Sequence, residues 1–331
     1  MSFSAPRTSI IMPVYNTAER VISSIQSVLA QSDPDFELLI LVDGATDHSA
    51  QVIEQFLHHN PDPRLRFFNN AQNQGVSRTR NQGLEHIRGQ WVAFLDSDDT
   101  YRPHFLESLH SYTERYDADI VTSVLAIAKP DGSVTPRPTQ PTETFLGQEA
   151  AYRLLQGGRI TPYLCDKIIR SSLFENVRFC PDIHRGEDAL VTLALCLNAQ
   201  TVVATPEVQY EYFMESTGLS WGRITPVEES LALMQAQAEL LGERLNTVQG
   251  RKAYDVSWII TFLNSSQQAI FNDTAQGREI LSRNRQLIRW SQIYQIISIN
   301  PIFCAAATLL KLCPPLYRVV YRAYVKRTYG L

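Results

Sequence analysis

The residues best suited to chemistry are two acidic groups, each set directly behind an apolar run: Asp43 after Leu39-Ile40-Leu41-Val42, and Asp96-Ser97-Asp98-Asp99 after Val92-Ala93-Phe94-Leu95. An Asp-x-Asp pair on one loop lets one carboxylate ligate a divalent cation while the other holds a hydroxyl or the cation's water shell. Mg²⁺ and Mn²⁺ favour carboxylates combined with phosphate oxygens of a substrate, so a nucleotide diphosphate would complete the site. Solvated turns use the same residue types, so the pair needs company. A polar, Gly-bearing stretch from Asn73 to Gly83 supplies it, with Arg80 as a cation for a phosphate. A third cluster, Glu187-Asp188, opens an apolar helical run to Leu197, where the helix dipole favours carboxylates with or without a chemical role.

Carboxylates this far apart in the chain meet only if the elements between them return to one edge of a sheet. Runs 8–12, 37–42, 65–68, 91–95 and 120–127 are β-rich and alternate with helical stretches whose apolar faces include Ile22, Ile25 and Leu29, or Val52, Ile53 and Phe56. That alternation predicts an α/β fold with a mostly parallel, Rossmann-like sheet and helices on both faces. Ligands of such sheets bind outside the carboxyl ends of the strands, so the acidic clusters converge on one crevice. Asn16 and Glu19 read as a capping box at the start of the first helix. Four prolines between Lys129 and Pro141 mark a boundary, and the Leu/Ala/Gln/Glu-rich sequence after Pro226 predicts a C-terminal helical subdomain.

Six segments, in order, resemble family 2 glycosyltransferases with the A-type nucleotide-sugar fold. They are Ser9 to Asn16, Asp43-Gly44-Ala45-Thr46-Asp47, Gly75 to Gly83, Phe94 to Asp99, Cys165-Asp166-Lys167 and Gly186-Glu187-Asp188, covering about residues 8 to 222. Each is weak alone; together they are specific. The resemblance implies a donor site with Pro13 and Tyr15 at the nucleotide, Asp43 on its base or ribose, and Arg80 on base or diphosphate. Asp96 would hold the ribose or the metal shell, and Asp98 would ligate Mn²⁺ or Mg²⁺ on the diphosphate. Asp188 would be the general base, with Glu187 orienting it or binding acceptor. Lys167, His184 and Trp221 stand as acceptor-binding candidates. Val42 and Ala45 replace the first Asp and the Ser of the family's Asp-Asp-Gly-Ser turn, and Asp166 stands where Asn is usual.

The activity so implied is inverting, metal-dependent transfer from a nucleotide-sugar donor, UDP first, to a glycan or polyprenyl-linked acceptor in surface polysaccharide biosynthesis. A catalytically silent nucleotide-sugar or glycan-binding module on the same fold is the alternative; retention of Asp96, Asp98 and Asp188 favours the enzyme. The expected division is a catalytic region at 1–225, with a nucleotide-sugar half at about 1–128 and an acceptor half at about 143–225. A helical subdomain at 226–297 and a basic tail at 298–331 follow.

Charge separates the tail from the rest. No acid follows Glu279, while eight bases do, so the net −4 of the chain becomes −12 for the first 279 residues. A body of that charge excludes nucleic acid as a natural partner. The tail carries Tyr317, Tyr321 and Tyr324 at helical spacing beside Arg318, Arg322 and Lys326, behind an apolar stretch too short to span a bilayer. It reads as a peripheral anchor on an anionic membrane, with packing on its own subdomain or in a homodimer as the competing role. No secretory signal is read at the start, so the expected location is the cytoplasm, on the inner face of the cell membrane. Five cysteines without CxxC spacing indicate neither disulfides nor structural zinc. Gln286-Leu287-Ile288-Arg289-Trp290 matches a signature of processive synthases but lies about a hundred residues after Asp188, and is read as coincidental.

Overall fold

The computed structural model describes residues 5–129, 131–214, 224–271 and 274–329, so Trp221 lies outside the described residues. Two compact units are present. The first comprises residues 1–150, 161–182 and 187–214, and the second 151–160, 183–186 and 215–331.

The first unit is built on β1 (Thr8–Val14), β2 (Phe36–Asp43), β3 (Leu65–Asn70) and β4 (Trp91–Phe94), which run parallel in the order β3-β2-β1-β4. Every residue of β2 is buried, because a central parallel strand is covered on both faces and gains from a continuous apolar run. The sheet continues through β9 (Lys167–Arg170), β6 (Ile120–Ala128), β10 (Thr201–Phe213) and β5 (Thr100–Tyr101). β6 and β10 are parallel to each other, but β9 lies between β4 and β6 antiparallel to both. The short β7 (Val134–Pro136) and β8 (Glu143–Leu146) add antiparallel edges on β6 and β10. The sheet is thus mixed, two parallel blocks joined by one reversed strand.

Helix α1 (Val21–Leu29) buries Val21, Ile25 and Val28, one face at helical spacing. α2 (Ser49–His59) and α3 (Val76–His86) follow β2 and β3, and α4 (Phe105–Tyr116) precedes β6. Gly83 lets α3 approach β1: a Cβ there would meet Ile11 Cγ2 at 2.6 Å.

Asn16 does not cap α1, whose N-cap is Arg20 without a side-chain bond. It sits instead at φ +55, and its Oδ1 accepts from the Thr46 and Asp47 amides at 2.8 and 3.3 Å, clamping the turn after β2. Local spacing suggested a cap, and a long-range turn claimed the side chain. Asn16→Ala loses these bonds and puts a Cβ-only residue in left-handed backbone, costing about 1–2 kcal/mol. A urea titration checks this; an unmoved midpoint would show that the clamp contributes nothing.

The second unit contains α7 (Val227–Leu241), α8 (Val248–Phe271), α9 (Ala275–Leu287), α10 (Trp290–Ile296), α11 (Pro301–Leu312) and α12 (Pro314–Tyr329), after α5 (Gly147–Leu155) and α6 (Glu187–Asn198) earlier in the chain. α8 is the central helix, packed by the other five. Asn284 donates to Ser265 and Ser266, and Gln292 to Asp255, so these buried polar groups pair across helices of the bundle. The Gln-x-x-Arg-Trp residues straddle the break between α9 and α10, with Arg289 as N-cap. The tail's tyrosines are not all outward anchors: Tyr317 is buried and stacks on Tyr321 at 5.8 Å, and Arg322 donates to the Ile270 carbonyl of α8. No helix among the described residues is long and apolar enough to cross a membrane.

Candidate active site

Strand order reverses at β1: the chain runs outward to β2 and β3, then returns to β4 on the other side. The carboxyl ends of β2, β1 and β4 therefore line one edge at the switch point where such sheets bind ligands. Asp43 ends β2, half-buried Pro13 and exposed Tyr15 stand at the end of β1, and Asp96 to Asp99 follow β4.

The loop after β4 is held firmly from below. Asp99 is buried; its Oδ2 accepts from the Tyr210 hydroxyl at 2.6 Å and its Oδ1 from the Phe213 amide at 2.6 Å. Burial, with Asp96 and Asp98 nearby, pushes its carboxyl well above the ordinary range. From α1, Ser24 donates to the Ser97 carbonyl, and Arg20 donates to the Asp98 carbonyl while its guanidinium covers the Phe213 ring at 3.2 Å. Asp99 is thus a fastening for the loop, and Asp96 and Asp98, both partly exposed, are its outward carboxylates. The sequence placed Asp99 in the acidic group without a role of its own and did not single out Tyr210.

Arg80, on α3, does not point at open solvent. Its side chain is 5% exposed, and Nη1 donates to Asp188 Oδ1 at 2.6 Å and Glu187 Oε1 at 3.3 Å while Nη2 donates to Asp96 Oδ1 at 3.1 Å. The Phe179 ring lies 5.4 Å from the guanidinium, and Asn81 pairs with the Phe179 backbone, seating α3 at this point. Burial alone would lower the Arg80 pKa, but Asp188, Asp96 and Glu187 reverse that and raise it, so the cation is fixed. The sequence assigned Arg80 to base or diphosphate; in this structure the guanidinium is engaged by three carboxylates. Glu187 and Asp188 form the first turn of α6, as the sequence suggested. Burial raises the Asp188 carboxyl to about 7, against the opposing pull of Arg80. A carboxylate so placed is suited to accept a proton near neutrality.

Two other candidates have partners within the protein. Asp43 is 3% exposed, and its oxygens accept from the Gln74 amide at 2.9 Å and the Gly75 amide at 2.8 Å, so it ties the loop before α3 to β2. Gly44 permits this closeness, since a Cβ there would lie 2.3 Å from the Asn73 nitrogen. Lys167 has no exposed surface to offer an acceptor. Its Nζ donates to Asp166 Oδ1 at 2.6 Å, Thr161 Oγ1 at 2.7 Å and the Tyr163 carbonyl at 2.6 Å, fastening the segment that leads into β9. Asp166, in place of the usual Asn, is the counter-charge that a buried ammonium requires. His184 is exposed and belongs to the second unit.

A parallel-cored α/β sheet bearing Asp-x-Asp at its switch point, with an Arg-linked carboxylate pair beside it, defines an A-type nucleotide-sugar glycosyltransferase scaffold. The family model described as glycosyl transferase family 2 matches residues 9–178. The chain belongs to that family. It is 25% identical over 300 residues to the glycosyltransferase GlyA of Streptococcus pneumoniae, covering 86% of this chain and 42% of GlyA. It is 27% identical over 258 residues to the putative glycosyltransferase EpsH of Bacillus subtilis, covering 76% and 73%. The chain spans less than half the length of GlyA, and 37% of a second S. pneumoniae relative, GlyG. Among solved structures, S. aureus TarS 1–349 in complex with UDP-GlcNAc superposes with a TM-score of 0.70 at 19% identity, over 98% of this chain and 93% of that one.

Proposed function

We propose that this chain transfers a sugar from a UDP-sugar to a hydroxyl of a glycan or polyprenyl-linked acceptor, with inversion, at the inner face of the cell membrane. The observation that carries the reading is the Arg80 network, which gathers Asp188, Glu187 and Asp96 at the carboxyl edge of the sheet. The likeness to TarS, which binds UDP-GlcNAc in its complex, supports a UDP-linked donor.

Asp98 and Asp96 fit a hard divalent cation, because two carboxylates of one loop leave the remaining positions to water and diphosphate oxygens. Mn²⁺ or Mg²⁺ held there would neutralise charge on the leaving diphosphate. Asp188 accepts the acceptor hydroxyl's proton as the new bond to the anomeric carbon forms and the bond to the diphosphate oxygen breaks. One displacement from the opposite face inverts that centre. Glu187 shares Arg80 with Asp188 and keeps it aimed.

Calorimetry with UDP tests the donor and metal parts. Binding should require Mn²⁺ or Mg²⁺, fall by about tenfold or more in EDTA, and fall likewise in Asp98→Ala. Equal affinity in all three conditions would remove the metal assignment. Metal-dependent binding without turnover across a donor screen would instead favour the binding-module alternative.

A further inference from the structure

Two consecutive helices of the tail turn apolar stripes to solvent. On α11, Ile302, Ala305 and Leu312 are exposed, the first and last at 78% and 68%. On α12, Leu316, Val319, Val320 and Ala323 are exposed, at i, i+3, i+4 and i+7. That is the spacing of a continuous helical face, and it lies apart from buried Tyr317, which marks the side turned inward. The helices therefore turn Tyr317 inward and keep an aliphatic stripe, continued by exposed Tyr324, uncovered. Exposed apolar stripes of this extent mark an interaction surface.

Charge selects the occupant. Lys311, Arg318 and Arg322 lie on the same two helices, and no acidic residue follows Glu279. A two-fold pairing of this segment with itself would bring together two regions of like net charge, which repulsion disfavours. An anionic lipid surface offers both a phosphate layer for the bases and an acyl boundary for the aliphatic residues. We propose that α11 and α12 dock the protein on an anionic bilayer through these exposed stripes, and not through buried Tyr317. This deepens the proposed function, on whose membrane-presented acceptor it rests.

The test is co-sedimentation of the full chain with vesicles of phosphatidylcholine alone or with about one-third phosphatidylglycerol, at low and high salt, without sugar nucleotide. Expected is binding to the anionic vesicles only, weakened by salt, and reduced about tenfold or more in Val319→Asp/Val320→Asp. Val319→Ser/Val320→Ser, which adds no charge, should weaken it in the same direction, with melting midpoints of both variants close to that of the parent. Absence of vesicle binding, equal binding to both lipids, or full binding by both variants would overturn the proposal. So would a light-scattering mass of two chains that falls to one in the variants, which would give the face to a second copy. Because binding is read without donor, loss of the sugar-transfer reading would leave this result standing.

Discussion

Asp188→Asn is expected to keep the fold and UDP affinity while lowering sugar transfer by ~10²-fold or more, the scale of a lost general base. Asn preserves the shape of the side chain and an acceptor oxygen for Arg80, so a loss of turnover reports proton acceptance and not collapse of the cluster. The pH profile sharpens the test. A carboxyl raised to about 7 is protonated below that pH and cannot take the hydroxyl proton, so kcat/KM of the parent should climb as pH rises through about 7. The residual rate of the variant should be flat there. Turnover within a few-fold of the parent would move the role to Glu187.

Arg80→Met should be the most damaging change in the first unit. It removes the cation that, among the described residues, touches Asp96, Glu187 and Asp188 together, leaving Glu187 and Asp188 about one-fifth exposed without this partner. Breaking a buried ion pair from one side costs about 3–5 kcal/mol. Asp96, more than a third exposed, contributes least to that cost. The sign of the pH effect follows from the charge: Arg80 lowers the proton affinity of Asp188, so without it the rising limb of kcat/KM moves to higher pH. Arg80→Lys keeps the charge but not the fork that reaches three carboxylates, and should recover only part of either effect. Denaturation midpoints together with pH–rate curves decide it; an unchanged midpoint and limb would show that the network neither stabilises the fold nor tunes the base.

The sequence disclosed most where burial was complete. β1, β2 and β4 were readable because central parallel strands need apolar residues at every position, and Glu187-Asp188 because carboxylates favour a helix start. β9 was missed: Lys167 and Arg170 bracket only two apolar residues, and the strand exists because two others flank it. Residue type identified Arg80 as part of the site but not its partners, anions of the protein itself, two of which lie 107 and 108 positions away. The role of Lys167 stayed open in the sequence for the same reason. A lysine near a site reads as a ligand contact until its neighbours in space, Thr161, Tyr163 and Asp166, are known. Asn16 shows the reverse error, where a plausible local pattern lost to a turn thirty residues on.

The reversed strand also governs how the protein comes into being. β9 fills the gap between two strands that are both made before it, so during synthesis β4 and β6 must wait with unpaired edges until residue 170 has emerged. A fragment ending near Ala128 would carry every donor-side carboxylate yet keep those edges open, inviting association with other nascent chains. Dividing this catalytic region at the boundary its prolines suggest would therefore yield an aggregation-prone half, and the protein is best produced with both halves in one chain.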